Sequence, residues 1–233
     1  MILEEFGKSV ELYFSKYKYE TEQLVTNTKL VYEPDKFIYE HDVSKKVYVT
    51  NTSIINEAYN YNNCVIHNFA SSSNVAEKLL ENRGSFESEL CCSSNLFESL
   101  CFGQDIGTGF YGYNRQFENR GSNRIIYSPN VLFHVNDNIK FLSVLSCSAP
   151  KFNSLQYDEL VLRLKCLLHA VRSYNFDMLI TGAWGCGNAH NNVHSIILAW
   201  KEVLSTFRLC DVLFAIPDSK MYNCFWQELS NFG

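Results

Sequence analysis

Gly182, Gly185 and Gly187 fall within ten residues, Leu-Ile-Thr-Gly-Ala-Trp-Gly-Cys-Gly-Asn, from Leu179 to Asn188. Phe176, Met178, Leu179 and Ile180 supply an apolar run before them, long enough for one buried strand. After Asn188 the apolar residues Val193, Ile196, Ile197, Trp200 and Leu204 recur at helix spacing. Strand, glycine turn and helix together suit phosphate binding. Glycine lets the backbone come close to a ligand, and the N–H groups ahead of the helix face an anion. The run is neither a Walker loop, which needs Gly-Lys-Ser/Thr, nor a Gly-x-Gly-x-x-Gly fingerprint. A plain structural turn is the alternative.

Other residues here carry chemistry of their own. Cys186, His190 and His194 are spaced by four, so on a helix they would share a face and offer a zinc triple. The first of them lies in the glycine turn and no fourth ligand is evident, so no metal is expected. Cys186 with His190 as base is one reading; a small buried thiol is the other. Trp184 is either ligand-facing or a core anchor. Ser93 and Ser94 read as capping or packing residues.

These residues need elements to hold them. Residues 1 to about 20 read as a helix carrying Phe6, Val10, Tyr13, Phe14 and Tyr17, and residues 21–46 as loops with a short strand. Val47 to Thr50 and Cys64 to Phe69 read as strands, with a helix between them capped from Asn51, Thr52 or Ser53. Residues 72–89 are polar, Leu90 to Leu100 reads as one helix, and residues 101–123 form a long irregular excursion of the kind used for binding. Strands are expected at 124–127, 131–135 and 141–147, with turns at Ser128-Pro129-Asn130 and Asn136-Asp137-Asn138. A long amphipathic helix from Leu155 to Tyr174 and a strand from Met178 to Thr181 follow. A helix containing Ser195 to Phe207, a strand at 212–216 and a helix at 222–229 complete the chain. Such alternation favours a three-layer α/β/α sheet, with ligands at the carboxyl ends of its strands. The loops after Phe69 and Ile180 would both lie there. We divide the chain into an N-terminal helical extension, 1–46, packed on a domain of 47–233.

Composition narrows the function. A 233-residue chain with 46% hydrophobic residues can bury a sizeable core. A net charge of −5 with no basic stripe gives no direct nucleic-acid signal. No run approaches the roughly 18 apolar residues of a membrane span, and Met-Ile-Leu-Glu-Glu-Phe lacks a leader's basic-then-apolar order. Nine cysteines without a Cys-x-x-Cys fit a reducing compartment, cytoplasmic or nuclear.

Four segments in order resemble the macrodomain-type poly(ADP-ribose) glycohydrolases of the microbial branch. They are Val65-Ile66-His67-Asn68-Phe69-Ala70-Ser71, Leu90-Cys91-Cys92-Ser93-Ser94-Asn95-Leu96, Ile126-Tyr127-Ser128-Pro129-Asn130-Val131 and Gly182-Ala183-Trp184-Gly185-Cys186-Gly187. The resemblance spans roughly residues 47–216. Phe110-Tyr111-Gly112-Tyr113 and the strand end from Leu145 to Pro150 are also similar. It implies a macrodomain-like mixed sheet holding ADP-ribose or a related NAD-derived nucleotide, with no further cofactor. The diphosphate would sit between a loop after Ser71 and a loop at Gly182 to Asn188. Asn68, Ala70, Ser71, Gly182, Ala183, Trp184, Gly185, Cys186, Gly187 and Asn188 would form the binding set. For Asn68, a contact to the ligand's ribose or adenine edge and a structural hydrogen bond are both open. An ADP-ribosylated protein is the implied larger partner.

The sequence also departs from that family. Where the family has Pro-Gly-Gly-Gly, an ungapped register gives Val75-Ala76-Glu77-Lys78. Three glycines have become residues with side chains, and Glu77 adds negative charge facing an anion. Glu77-Lys78 and Glu81-Asn82-Arg83 also fit a solvated helix turn replacing a ligand loop. The family's Gln-Glu-Glu falls on Phe86-Glu87-Ser88, which puts Ser88 at the catalytic glutamate; a slip of one residue would put Glu87 or Glu89 there. A serine hydroxyl is no carboxylic acid near neutral pH. Ala189 stands where the family packs an aromatic residue on the ligand. The expectation is a macrodomain that binds the nucleotide with hydrolysis lost or reduced. The alternatives are an active hydrolase using Glu87 or Glu89, and a ligand-free interaction protein on the same fold.

Overall fold

The computed structural model describes residues 2–37, 41–80, 84–117, 121–135, 138–151 and 157–232. Its described strands make a seven-stranded mixed sheet flanked by helices, in the order β1-β4-β5-β3-β6-β7-β2. This is the α/β class that the alternation of patterns implies. The chain divides into two compact units, residues 1–31 with 68–148, and residues 32–67 with 149–233. Strand β3, Cys64–Phe69, contributes to both.

In the first unit, α1 (Ile2–Ser15) and α2 (Lys18–Asn27) precede β1 (Lys29–Val31). The helical pattern runs further than the sequence suggested, because Thr21 and Leu24 extend the buried stripe of Tyr13 and Tyr17. Strand β1 pairs antiparallel with β4 (Ile125–Val135), which pairs antiparallel with β5 (Asn138–Cys147). The expected turn at Ser128-Pro129-Asn130 is instead a bulge inside one continuous strand. The register shifts between Ser128 and Val131, and Asn130 sits at φ 53. Proline offers no N–H to the ladder and asparagine tolerates the left-handed conformation, so both fit a bulge. Of the expected turn at 136–138, Asn136 and Asp137 lie outside the described residues.

Helix α4 (Glu77–Leu80) and the first turn of α5 (Phe86–Ser93) occupy what reads as a polar loop. Ser85 accepts from the Ser88 N–H at 3.1 Å and so starts α5. The single helix expected over Leu90 to Leu100 is two, α5 and α6 (Leu96–Phe102). Asn95 sets the break. Its Oδ1 accepts from the Leu132 N–H at 2.9 Å, and its Nδ2 donates to Thr21 Oγ1 at 3.1 Å. That exchange with β4 and α2 replaces the helical hydrogen bonds. The expected irregular excursion contains a π-helix, Gly107–Gly112, and a 3₁₀ turn, Arg115–Phe117.

In the second unit, β6 (Met178–Thr181) runs parallel to the Cys64–Ile66 part of β3 on one side and to β7 (Asp211–Ala215) on the other. Strand β7 pairs parallel with β2 (Val47–Thr50). All four residues of β6 are buried, as a parallel strand covered on both faces requires. Helix α3 (Ile54–Ala58) is capped by Ser53. Helix α7 spans Tyr157–Ser173; residues 155 and 156 of the expected helix lie outside the described residues. Helices α8 (Val193–Thr206) and α9 (Ser219–Leu229) pack through Trp200, Phe214 and Phe225, with ring centroids 5.1 and 5.4 Å apart in turn. No described helix is long and apolar enough to cross a membrane.

Candidate functional site

The glycine turn is built around Gly185, which has φ +82. The turn follows β6 and closes on itself: Trp184 N–H donates to Gly182 O at 2.8 Å, Cys186 N–H to Ala183 O at 3.1 Å, and Asn191 N–H to Gly185 O at 3.0 Å. Asn191 latches it from the far side, its Nδ2 donating to Pro150 O at 3.0 Å. A Cβ on residue 185 would meet that Nδ2 at 2.7 Å and the Ala149 methyl at 3.3 Å. Gly185→Ala is therefore expected to lower stability by about 1–2 kcal/mol through the left-handed backbone alone, more once the latch shifts. A thermal or urea melt checks this; an unchanged midpoint would refute the latch. Gly187 differs: it is exposed, and a Cβ there meets nothing.

Around these glycines the other residues take distinct places. Among the described residues, no acceptor takes the N–H of Gly185, Gly187 or Asn188. Gly187 and Asn188 are exposed, Ala183 and Cys186 half-buried, and Gly182 buried. The structure puts Trp184 in the core, fully buried with its ring 5.3 Å from that of His67. His67 is itself fully buried, hydrogen-bonded to Thr181 Oγ1 at 2.9 Å, and burial holds its pKa down at about 3.

Cys186, His190 and His194 do not share a helix face, contrary to the spacing argument. Cys186 lies in the turn, His190 bends the chain at φ 54, and α8 begins only at Val193. Asn192 starts that helix by accepting from the His194 and Ser195 N–H groups. No group of three metal-ligating side chains forms among the described residues. Burial pushes the Cys186 thiol up to about 12, which removes it as a nucleophile at neutral pH.

In the first unit, a second group of named residues converges on Glu87. Asn68 is fully buried at the end of β3; its Nδ2 donates to Ser146 Oγ at 3.0 Å and to Glu87 Oε1 at 3.3 Å. Ser71 N–H donates to Glu87 Oε2 at 3.3 Å, and the Ala76 backbone N–H donates to the same carboxylate. Burial pushes the Glu87 carboxyl up to about 7; these three donors oppose the shift, and the Glu77 charge adds to it. Ala70 packs beneath, its N–H bonded to Cys147 O at 3.2 Å.

Ser88 and Glu89 do not join this group. The Ser88 hydroxyl pairs with Ser85 Oγ at 2.8 Å inside the first turn of α5, and Glu89 is exposed. Glu77 turns out to belong to the loop: it accepts from Ser71 Oγ at 3.0 Å and Ser73 Oγ at 3.4 Å. Helix α4 bears out a local helix at Glu77; Glu81, Asn82 and Arg83 lie outside the described residues. Ala76, immediately before it, keeps a glycine-like φ of 46 while fully buried.

Sequence reasoning missed the work of Asn95, Asn191 and Arg115, the last of which donates from Nη1 to Ser73 O at 2.7 Å. Asn95 and Asn191 act on distant backbone, which no local pattern reveals. Ser94 and Ser99 are structural too: Ser94 Oγ donates to Leu90 O at 2.7 Å, and Ser99 bridges Thr28 and Ser128 at 2.7 and 2.6 Å.

Residues 8–135 match the family described as microbial-type PARG, catalytic domain. Among solved structures the chain is similar to the poly(ADP-ribose) glycohydrolase of Thermomonospora curvata, with 21% identity and a TM-score of 0.84, covering 97% of this chain and 98% of that one. The same T. curvata protein bound to the inhibitor ADP-HPD gives a TM-score of 0.81 at the same identity and coverage. The Deinococcus radiodurans protein in complex with ADP-ribose gives 20% identity and a TM-score of 0.78, covering 91% of this chain and 98% of that one. No curated protein matches the chain. At such identities the likeness carries the fold, and the chemistry is left to the residues themselves.

Proposed function

The chain belongs to the microbial-type PARG catalytic-domain family, and from that premise we propose that it binds ADP-ribose or a related NAD-derived nucleotide with hydrolysis lost or reduced. The carrying observation is Ser88. In the ungapped register it stands at the catalytic glutamate, and its hydroxyl is tied to Ser85 at 2.8 Å in a helix start. It has no acidic proton to give a leaving group. The exposed N–H groups of Gly187 and Asn188 support retained anion binding at the glycine turn. An ADP-ribosylated protein is the larger partner this reading implies.

Gly187→Glu tests the binding half of the proposal. It places a carboxylate on the turn at a position where an added Cβ meets open space. ADP-ribose binding by calorimetry is expected to fall at least roughly tenfold through like-charge repulsion, with the melting temperature unchanged. Equal affinity in the variant would remove the glycine turn from the binding site.

One observation favours a second reading, an active hydrolase. Glu87 is buried, carries its proton up to about pH 7, and is within reach of Asn68 and the Ser71 N–H. A carboxyl so placed can give a proton near neutral pH. Release of ADP-ribose from poly(ADP-ribose), abolished by Glu87→Gln, would favour it over the first.

A further inference from the structure

In the loop from Ser71 to Glu77, two backbone N–H groups and two hydroxyls go to the chain's own acids. The N–H groups of Ser71 and Ala76 both donate to the Glu87 carboxylate. The hydroxyls of Ser71 and Ser73 both donate to Glu77, at 3.0 and 3.4 Å. The N–H groups of Ser73 and Asn74 turn inward to Ser71 Oγ at 3.3 and 3.5 Å. Arg115 donates to Ser73 O at 2.7 Å. Backbone N–H groups and hydroxyls converging on a carboxylate are what an anion-binding loop offers to a bound anion. Here the anion is covalently part of the chain.

We propose that Glu77 and Glu87 are specificity-determining residues: they act as a built-in anion that fills the donors of the 71–77 loop and sets the chain's ligand preference against a diphosphate. A diphosphate entering this loop has to displace two carboxylates from their donors, or sit beside them at a cost in repulsion. A ligand without the diphosphate meets no such opposition. The inference rests on the ADP-ribose-binding reading and refines it: this loop lowers the chain's affinity for a diphosphate.

The occupant also makes recognition depend on pH. Among the described residues, the groups facing Glu87 are Glu77 from α4, Cys91 on its own helix α5, Cys101 from α6 and Tyr111 from the π-helix. From α1, Glu5 faces Cys92 instead. Burial pushes the three thiols and the Tyr111 hydroxyl upward, so of the groups touching the loop Glu87 is the one that changes charge near neutrality; Glu98 on α6, also pushed up to about 7, acts on Cys91 and Cys101 rather than on the loop. Protonation of Glu87 as pH falls through about 7 removes one of the two competing charges.

The test compares wild type, Glu77→Gln and Glu87→Gln by calorimetry with ADP-ribose at pH 6 and pH 8.5, with adenosine as the ligand that lacks the diphosphate. At pH 8.5 each variant is expected to bind ADP-ribose roughly ten- to a hundredfold more tightly than wild type, the scale of a hydrogen bond to a charged group. Adenosine affinity is expected to stay level across the three. Wild type is expected to gain ADP-ribose affinity from pH 8.5 to pH 6, and Glu87→Gln to lose that gain. ADP-ribose bound equally by all three proteins overturns this inference and leaves the binding reading standing; no binding by any of them overturns both. A ligand-free measurement covers a variant that fails to fold. In wild type the Ser71 and Ala76 amide protons are expected to shift together with a midpoint near Glu87's titration, and amide signals flat across pH 5–8.5 overturn the inference.

Discussion

Ser88→Glu is expected to raise the release of ADP-ribose from poly(ADP-ribose) by roughly 100- to 10,000-fold, the usual worth of a placed general acid. The substitution replaces a hydroxyl that cannot ionise usefully with a carboxyl at the start of α5, where the helix N-terminus tolerates negative charge. Ser88 is only 2% exposed, so a carboxyl there would share the burial that pushes Glu87 up to about 7. A neighbouring charge adds to that effect, and the pair would hold a proton near neutral pH. The cost is the Ser85–Ser88 hydroxyl pair at 2.8 Å; the Ser85 cap to the backbone N–H of residue 88 survives. Product release by chromatography, beside an active family member, gives the comparison. A wild type that already matches the active relative, and loses everything in Glu87→Gln, would move the assignment to Glu87 and end the reading of lost hydrolysis.

The sequence shows the strands better than the loops, for a physical reason. Strands β3, β6 and β7 are short apolar runs bounded by polar residues, and burial on both faces leaves them little freedom of composition. The glycine turn is legible because a φ of +82 at residue 185 favours a residue without a Cβ. The break at Ser94-Asn95 is not legible, because its cause is an exchange with Leu132, thirty-seven residues away. The bulge at Ser128–Val131 reads locally as a turn, since proline and asparagine signal both. The candidate site divides in the same way. That Ser88 departs from a family pattern is visible in the chain. That Asn68, Ser71 and Ala76 all point at Glu87, and that Glu77 gathers two hydroxyls, is tertiary. In the sequence Glu77 reads as charge presented to a ligand; its partners show it satisfied within its own loop.

A second acid, with no place in this chemistry, carries the largest expected effect on stability. Glu98, on α6, is 1% exposed, and apart from its own N–H neither carboxylate oxygen has a partner among the described residues. Burial pushes it from 4.5 to about 7. The folded chain therefore holds this proton more tightly than the unfolded chain does. Its contribution is fully present below about pH 4.5 and is lost as pH rises through 7, about 3 kcal/mol over that window. Glu98→Gln has no proton to lose. Its urea-unfolding free energy, compared with wild type at pH 5 and pH 8, is expected to rise relative to wild type by about that amount between the two pH values. The absolute offset includes the cost of burying an amide, so the change with pH is the quantity to read. Glu98→Met, which buries no polar group, is expected to show the same pH difference with a higher baseline. Wild type and both variants running parallel from pH 5 to pH 8 would mean that Glu98 is ionised in the folded chain, and that an interaction with its carboxylate outweighs the burial penalty.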